Sequence, residues 1–313
     1  MTKHKMGIFF PAVLCTALWG SAIPVVMTGY ELFQIAANDI PAKLVFAGWR
    51  FTFAGLIVMA LFAVRSRSKL MPARGDWSGI LLLSAAQTVL QYMLLYPGLG
   101  NTTGVRGSVL SATSTFFAVF IAHFAFADDR LTFRKTMGCI VGFAGVIVIL
   151  SGAGLGGQGI TLTGEGFVLC SALGQGLGAC ISRKITPGRD PLMITAWQLT
   201  LGGLVLLAVG LVSGGHIVWS GGGVLVLMYL SVLSSVSFAL WTVLLRDHPV
   251  GKVTIYMFLI PVFGSLLSAV LLGENVFTLR NLCALLLVCI GITTVNYQKD
   301  TGNDRGVDPS ADS

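Results

Sequence analysis

Charge is what this sequence has least of. Asp, Glu, Lys and Arg make up 11% of its 313 residues against 55% hydrophobic residues, and the mean hydropathy is +0.84. That balance excludes an ordinary soluble domain, in which about a quarter of residues are charged. Acid is scarcest where it would matter most. None of the 13 acidic residues falls in the interior of an apolar run; Asp76, Asp128, Asp129, Glu165 and Glu274 stand at run ends. The six cysteines, Cys15, Cys139, Cys170, Cys180, Cys283 and Cys289, lie within apolar runs and lack metal-ligand spacing, so they read as small apolar fillers. Neither H-E-x-x-H nor G-x-S-x-G occurs, which removes two common hydrolytic signatures. No cofactor or metal is expected.

What the sequence does have is apolar length. Crossing a hydrocarbon layer about 30 Å thick takes about 20 mostly apolar residues. Ten such runs are present, at 7–29, 41–63, 78–97, 104–127, 135–151, 164–183, 191–213, 223–245, 252–272 and 278–298. The net charge of +7 is distributed rather than clustered, which argues against a nucleic-acid partner. With the amino terminus inside, 16 of the 20 basic residues fall on the cytoplasmic side. The exceptions are Lys43, Arg106 and Arg280 outside and Arg50 within the membrane. The positive-inside rule therefore predicts an all-α integral membrane protein of ten transmembrane helices with both termini cytoplasmic.

The runs repeat. "GWRFTFAGL" at 48–56 returns as "AWQLTLGGL" at 196–204, and "VLCTAL" at 13–18 as "VLCSAL" at 168–173. The second match makes the first run part of a repeated helix set rather than a cleaved leader. Offsets between the halves drift from 155 in the first run through 148 and 147 to 146 in the fourth and fifth, as small loop insertions would produce. Because each half holds five runs, an odd number, the second must enter the membrane from the opposite side. The predicted organisation is a tail at 1–6, a first five-helix repeat at 7–151, an external loop at 152–163, an inverted second repeat at 164–298 and a tail at 299–313. Inverted repeats suit a midplane site that opens first to one side and then to the other.

Four stretches carry a resemblance. "LWGSAIP" at 18–24, "GWRFTFAGL" at 48–56, "IPVFGSLLSAVLLGE" at 260–274 and "IGITTVNY" at 290–297 resemble the EamA branch of the drug/metabolite transporter superfamily, over roughly residues 7–298. The resemblance implies a ten-helix permease in a cytoplasmic membrane that moves small metabolites or drugs, often outward, through a central cavity between the halves. The first half departs from the pattern: "STFF" at 114–117 lacks the proline present as Pro261, and "FADDR" at 126–130 replaces "LGE". The expected partners are a small-molecule substrate and the bilayer, for a monomer or homodimer. Since cation exporters driven by protons rely on a buried carboxylate, neutral, zwitterionic or anionic solutes are favoured. A channel, a membrane-embedded enzyme and a fluxless sensor are the alternative readings.

Candidate site residues follow from polarity in an apolar setting. Arg50 is nine residues beyond the first of its run and so about 13 Å deep, where an unpaired cation is costly. It reads either as a cavity cation or as an arginine tied to carbonyls or helix ends; Gln198 takes its place in the repeat. Ser84, Gln87, Thr88 and Gln91 share one helical face, and lipid satisfies none of their polar groups. Ser231, Ser234 and Ser235 repeat that face more weakly. Trp19, Tyr92, Trp197, Trp241 and Tyr256 lie at similar depth and suit stacking or cation–π contact with an organic solute. Pro24 and Pro261 sit inside runs and predict hinges. His123, "GAGLGG" at 152–157 and the glycine pairs Gly138/Gly142 and Gly174/Gly178 read as packing or loop features rather than site elements.

Overall fold

A computed structural model describes residues 7–36, 38–65, 71–101, 110–151, 161–272 and 279–296. Among the described residues there are helices and no strands. They are α1 (Phe9–Leu32), α2 (Ile40–Arg65), α3 (Trp77–Ser84), α4 (Gln91–Gly100), α5 (Ser114–Ala125), α6 (Phe133–Ser151), α7 (Phe167–Ile185), α8 (Pro191–Val212), α9 (Gly221–Asp247), α10 (Val250–Thr254), α11 (Leu259–Leu272) and α12 (Leu279–Asn296). Among the described residues, six stretches are long and apolar enough to cross a membrane: Phe9–Leu32, Ile40–Val64, Arg74–Leu99, Leu162–Ile185, Pro191–Val212 and Gly221–Asp247. Leu110–Ala125, Val250–Gly264 and Leu282–Asn296 are shorter apolar helices. Large apolar side chains such as Phe10, Val64, Phe133 and Leu225 point outward, as expected where the surrounding solvent is hydrocarbon.

Helix ends are set locally. Asp190 accepts from the N–H of Leu192 at 2.9 Å and is followed by Pro191 in the first turn of α8, so acceptor and missing donor both fall where orphan N–H groups lie. Ser220 caps α9 through Gly223 at 3.1 Å while donating to the carbonyl of Leu32 at 2.9 Å, tying the α9 start to the α1 end. Before α7, Thr161 accepts from Gly164, and the Glu165 carboxylate reaches back to the Thr161 N–H at 2.9 Å.

Two long rods depart from regular α-helix. Ala85–Leu90 is a π-helical segment joining α3 to α4, and Ile255–Phe258 is a 3-10 turn joining α10 to α11. The second has a covalent cause: Pro261 lacks an N–H and its ring crowds the carbonyl four residues back, that of Met257. Pro24 leaves α1 unbroken.

The framework rests on two helix crossings, α2 on α8 and α6 on α12, both made through glycine. A methyl added at Gly55 would lie 2.5 Å from the backbone nitrogen of Thr200, and one added at Gly203 would collide with that of Thr52. Gly55 corresponds to Gly203, and Thr52 to Thr200, when "GWRFTFAGL" is laid on "AWQLTLGGL". Each glycine thus meets the other copy's threonine. The second crossing has the same form: a methyl added at Gly145 would lie 2.8 Å from the carbonyl oxygen of Ala284, and one added at Gly291 2.6 Å from that of Gly138. Without a side chain at these points the backbones approach to the distance at which dispersion and Cα–H contacts accumulate. The remaining pairs also mirror one another, with α1 packed on α9 and α11 while α7 packs on α3, α4 and α5.

Candidate functional site

Because α1, α2, α4, α5, α7, α9 and α11 converge without filling the centre, a cavity of about 590 Å³ remains between them. That volume suits a small organic molecule. Its wall is mostly apolar and aromatic, with Trp19, Tyr30, Tyr92, Tyr96 and Phe238, and its polar groups are few: Arg50, Gln87, Gln91, Gln175, Ser111, Ser114 and Ser171, with Glu31 and Lys43 near α1 and α2 ends.

The rings form a chain. Tyr96 meets Tyr92 at 5.7 Å between centroids, Tyr92 meets Phe51 at 4.5 Å, Phe51 meets Phe238 at 6.1 Å, Phe238 meets Trp19 at 5.6 Å and Trp19 meets Trp241 at 5.0 Å. Most of these contacts are edge-to-face or tilted, the geometry that ring quadrupoles favour. Arg50, only 4% exposed, lays its guanidinium over the Phe51 ring at 5.1 Å and donates from Nε to Ser234 Oγ at 3.0 Å. The α9 serine therefore fixes the α2 cation at the cavity wall.

The polar face on the third run divides at the π segment. Gln87 and Gln91 line the cavity, whereas Ser84 and Thr88 turn to α8, where Thr88 accepts from Gln198 Nε2 and both stand against Gly202. Inserting one residue into the helical repeat rotates the face and separates side chains that share a stripe in a regular helix. The Gln91 carbonyl oxygen is buried and has no hydrogen-bond partner.

Trp19, Arg50, Gln87, Gln91, Tyr92 and Pro261 are thus brought to one cavity. The other candidates stand elsewhere. Ser234 lies behind the wall as the partner of Arg50, and Trp241 lies beneath Trp19, 1% exposed with its Nε1 unpartnered. Gln198 is spent on Thr88, and Ser84 faces α8. Trp197 packs on Trp77 at 4.9 Å with Phe62, Leu83 and Ile194 around it, away from the cavity. Tyr256 lies in the 3-10 turn with its ring 6.4 Å from that of Phe9. Pro24 is in α1, its carbonyl accepting from Thr28 at 3.2 Å. Sequence reasoning missed Tyr30, Tyr96 and Gln175. Gln175 had a signal, a lone amide between Gly174 and Gly176 in an apolar run; the two tyrosines stand at run ends, where interface anchors also occur.

At the opposite end of the helices stands an ionic knot. The Asp129 carboxylate, with no exposed side-chain surface, accepts from Lys135 at 2.5 Å, from Arg183 at 3.1 Å and from the backbone N–H of Gly251 at 3.2 Å. Arg183 also reaches Asp128 at 2.5 Å and covers the Phe126 ring at 4.4 Å. The α5–α6 connection is thereby joined to the end of α7 and the start of α10. Asp76 and Arg189, 113 positions apart in the chain, also pair, linking the α3 start to the α7–α8 turn at 2.5 Å.

This helical frame, with a solute-sized aromatic cavity at its centre, is that of a membrane transporter. The EamA-like transporter family model matches the chain twice, over residues 6–151 and 162–297, and the chain belongs to that family. It is similar to transporter YoaV of Bacillus subtilis (strain 168), 25% identical with 93% of this chain and 96% of the relative covered, and to transporter YvbV of the same organism, 30% identical with 83% and 85% covered. A relative from Salmonella typhimurium, named a probable amino-acid metabolite efflux pump, is 26% identical with 90% of this chain and 92% of its own length covered. A solved chain titled only "Crystal structure of protein" shares the fold, with a TM-score of 0.72, 16% identity, and 91% of this chain and 95% of that chain covered. The protein is a multi-pass transporter of the cell membrane.

Proposed function

We propose that this chain is a carrier of small organic metabolites or drugs, built of two inverted five-helix repeats at 7–151 and 164–298, with ten membrane crossings and both termini cytoplasmic. Solute occupies the cavity bounded by Trp19, Arg50, Gln87, Gln91 and Tyr92, with Ser84, Gln198, Ser234 and Trp241 in the layer behind it, Trp197 and Tyr256 in the packing farther off, and Pro24 and Pro261 as bending points. In this orientation the cavity opens outward and the Asp129 knot closes the cytoplasmic side. Alternating access follows: release of the knot and closure of the outer mouth expose the same cavity to the cytoplasm. Export is favoured by the family resemblance and by the name of the Salmonella relative.

The observation that carries the reading is the pairing of a cavity at one end with a buried ion cluster at the other, the cluster joining the first repeat, through Asp129 and Lys135, to the second, through Arg183 and Gly251. The reciprocal glycine crossings support a two-fold relation between the halves. A channel would need a continuous path through that cluster. The test is counterflow in proteoliposomes: preloading with an unlabelled solute drawn from amino acids, organic acids, nucleosides and organic cations should accelerate entry of the labelled form. Currents of single-channel size without trans-stimulation would overturn the carrier reading.

A further inference from the structure

A second cavity, of about 380 Å³, lies at the end of the helices that carries the Asp129 knot. It is walled by Phe126 at the end of α5, Arg183 and Lys184 in the last turn of α7, Pro187 in the turn that follows and Arg246 in the last turn of α9. Among the described residues its lining holds three basic side chains and no acidic one.

The carboxylates nearby are already engaged. Asp129 is shared by Lys135 and Arg183, Asp128 pairs with Arg183, Asp247 accepts from Arg246 at 2.7 and 2.8 Å, and Asp190 accepts from the Leu192 N–H. In the ion pairs, Asp128, Asp129 and Asp247 balance Lys135, Arg183 and Arg246. Lys184 is left over, exposed and without a hydrogen-bond or ion-pair partner among the described residues. Phe126, under the Arg183 guanidinium at 4.4 Å, and Asp247, on Arg246, hold the two forks in place. Two fixed guanidinium groups and a free ammonium around one cavity suit an anion with several oxygens, and a phosphate above all.

The helix surface that leads away from this cavity is apolar. On α7, Leu169, Leu173 and Leu177 fall on the face of Lys184, all four within about 80° of one another around the helix. Leu169 and Leu173 are exposed, and exposure within a membrane span is exposure to acyl chains. Leu173 and Lys184 are about 16 Å apart along the helix, roughly half of a hydrocarbon core about 30 Å thick. A lipid chain lying on these leucines therefore has its headgroup at Lys184, whereas a phosphate from the aqueous side makes no use of the stripe.

We infer that this cavity is a headgroup site for an anionic phospholipid of the cytoplasmic leaflet, its phosphate held by Lys184, Arg183 and Arg246 and its chain running along Leu177, Leu173 and Leu169. The inference goes beyond the carrier reading and does not depend on it. A zwitterionic phospholipid carries its own cation beside the phosphate and gains less from the basic groups. One lysine or arginine is worth about fivefold in attraction to an anionic headgroup.

The test is native mass spectrometry of the purified full chain in detergent micelles, titrated with phosphatidylglycerol, with phosphatidylcholine of the same chains and with inorganic phosphate. The first phosphatidylglycerol adduct should form at least tenfold more tightly than the first phosphatidylcholine adduct, and equimolar inorganic phosphate should not displace it. Lys184→Gln should weaken that adduct about fivefold, and Lys184→Glu should abolish the preference; neither strips a partner from another described residue. Arg246→Gln should weaken it too, and if the loss of the Asp247 pair prevents folding, the two Lys184 substitutions decide. Arg74→Gln, at an exposed basic position outside the cavity lining, should change nothing. Equal retention of the two lipids, or an unchanged preference in Lys184→Glu, overturns the inference. Displacement by equimolar inorganic phosphate overturns the lipid assignment in favour of a free phosphate, and an equal loss in Arg74→Gln reduces the site to general surface charge. None of these results bears on the carrier reading, which counterflow tests.

Discussion

At the scale of single residues, the informative feature is how differently the two copies of one position are used. Arg50 and its repeat-mate Gln198 are both buried and both bonded, yet Arg50 fronts the cavity while Gln198 is committed to Thr88 between helices. Replacing a side chain whose partner then remains buried and unpaired costs about 1–3 kcal/mol. Gln198→Leu should therefore lower the thermal unfolding midpoint of the purified protein while leaving solute affinity intact. A change in affinity without a change in stability would place Gln198 in the site instead. Depth and polarity were legible here from sequence, and so was the choice of Arg50, Gln87 and Gln91. Facing was not. Trp19 and Trp197 both lie inside apolar runs, but which one meets the cavity depends on how α1 and α8 pack against their neighbours, which no local pattern specifies.

At the scale of elements, the apolar runs gave boundaries that hold within a few residues for α1, α2, α8 and α9. The run at 104–127 is represented by α5, and its first residues lie outside those described. The π segment at Ala85–Leu90 was illegible because hydrophobic periodicity does not record whether a carbonyl pairs four or five residues on. The glycine crossings were half legible: "GL" repeats in both copies, but the reciprocity appears only when helices touch. Valine at Gly55 or at Gly203 should destabilise by similar amounts, about 1–3 kcal/mol or more, as read from thermal unfolding. Gly221, which a methyl would leave with nothing within 4 Å, serves as control, and Gly221→Ala should be neutral. A large loss at only one of the two crossing glycines would break the claimed equivalence.

The ionic knot belongs to the same scale. Buried carboxylates with two cations are held by mutual pairing, and removing one partner from such a group costs about 3–5 kcal/mol. Asp129→Asn leaves Lys135 and Arg183 without their shared anion. The expected result is a shift toward the cytoplasm-open form, seen as faster cytoplasmic labelling of cavity cysteines. Unchanged labelling with unchanged stability would reduce the knot to a surface contact.

At the scale of the whole molecule, the proposed carrier consists of two antiparallel halves. With the five crossings per half proposed above, the two chain ends share a side, so reporter tags at residues 1 and 313 should both read cytoplasmic; tags on opposite faces would contradict the inverted arrangement. The alternating basic loops and the drifting repeat offset are what motivate this arrangement. What the sequence did not contain was which side is closed, because closure depends on Asp129 meeting Arg183 and Gly251 across 54 and 122 positions of chain.

The central claim is that a single cavity serves both faces of the membrane in turn, and accessibility measures that most directly. A cysteine placed at Ser171, in the cavity wall, is exposed to a membrane-impermeant thiol reagent from each side in oriented vesicles, against the parent chain as background. The account predicts labelling from the outer face in the parent setting and gain of cytoplasmic labelling when Asp129→Asn is added. Labelling confined to one face with and without that substitution would contradict it.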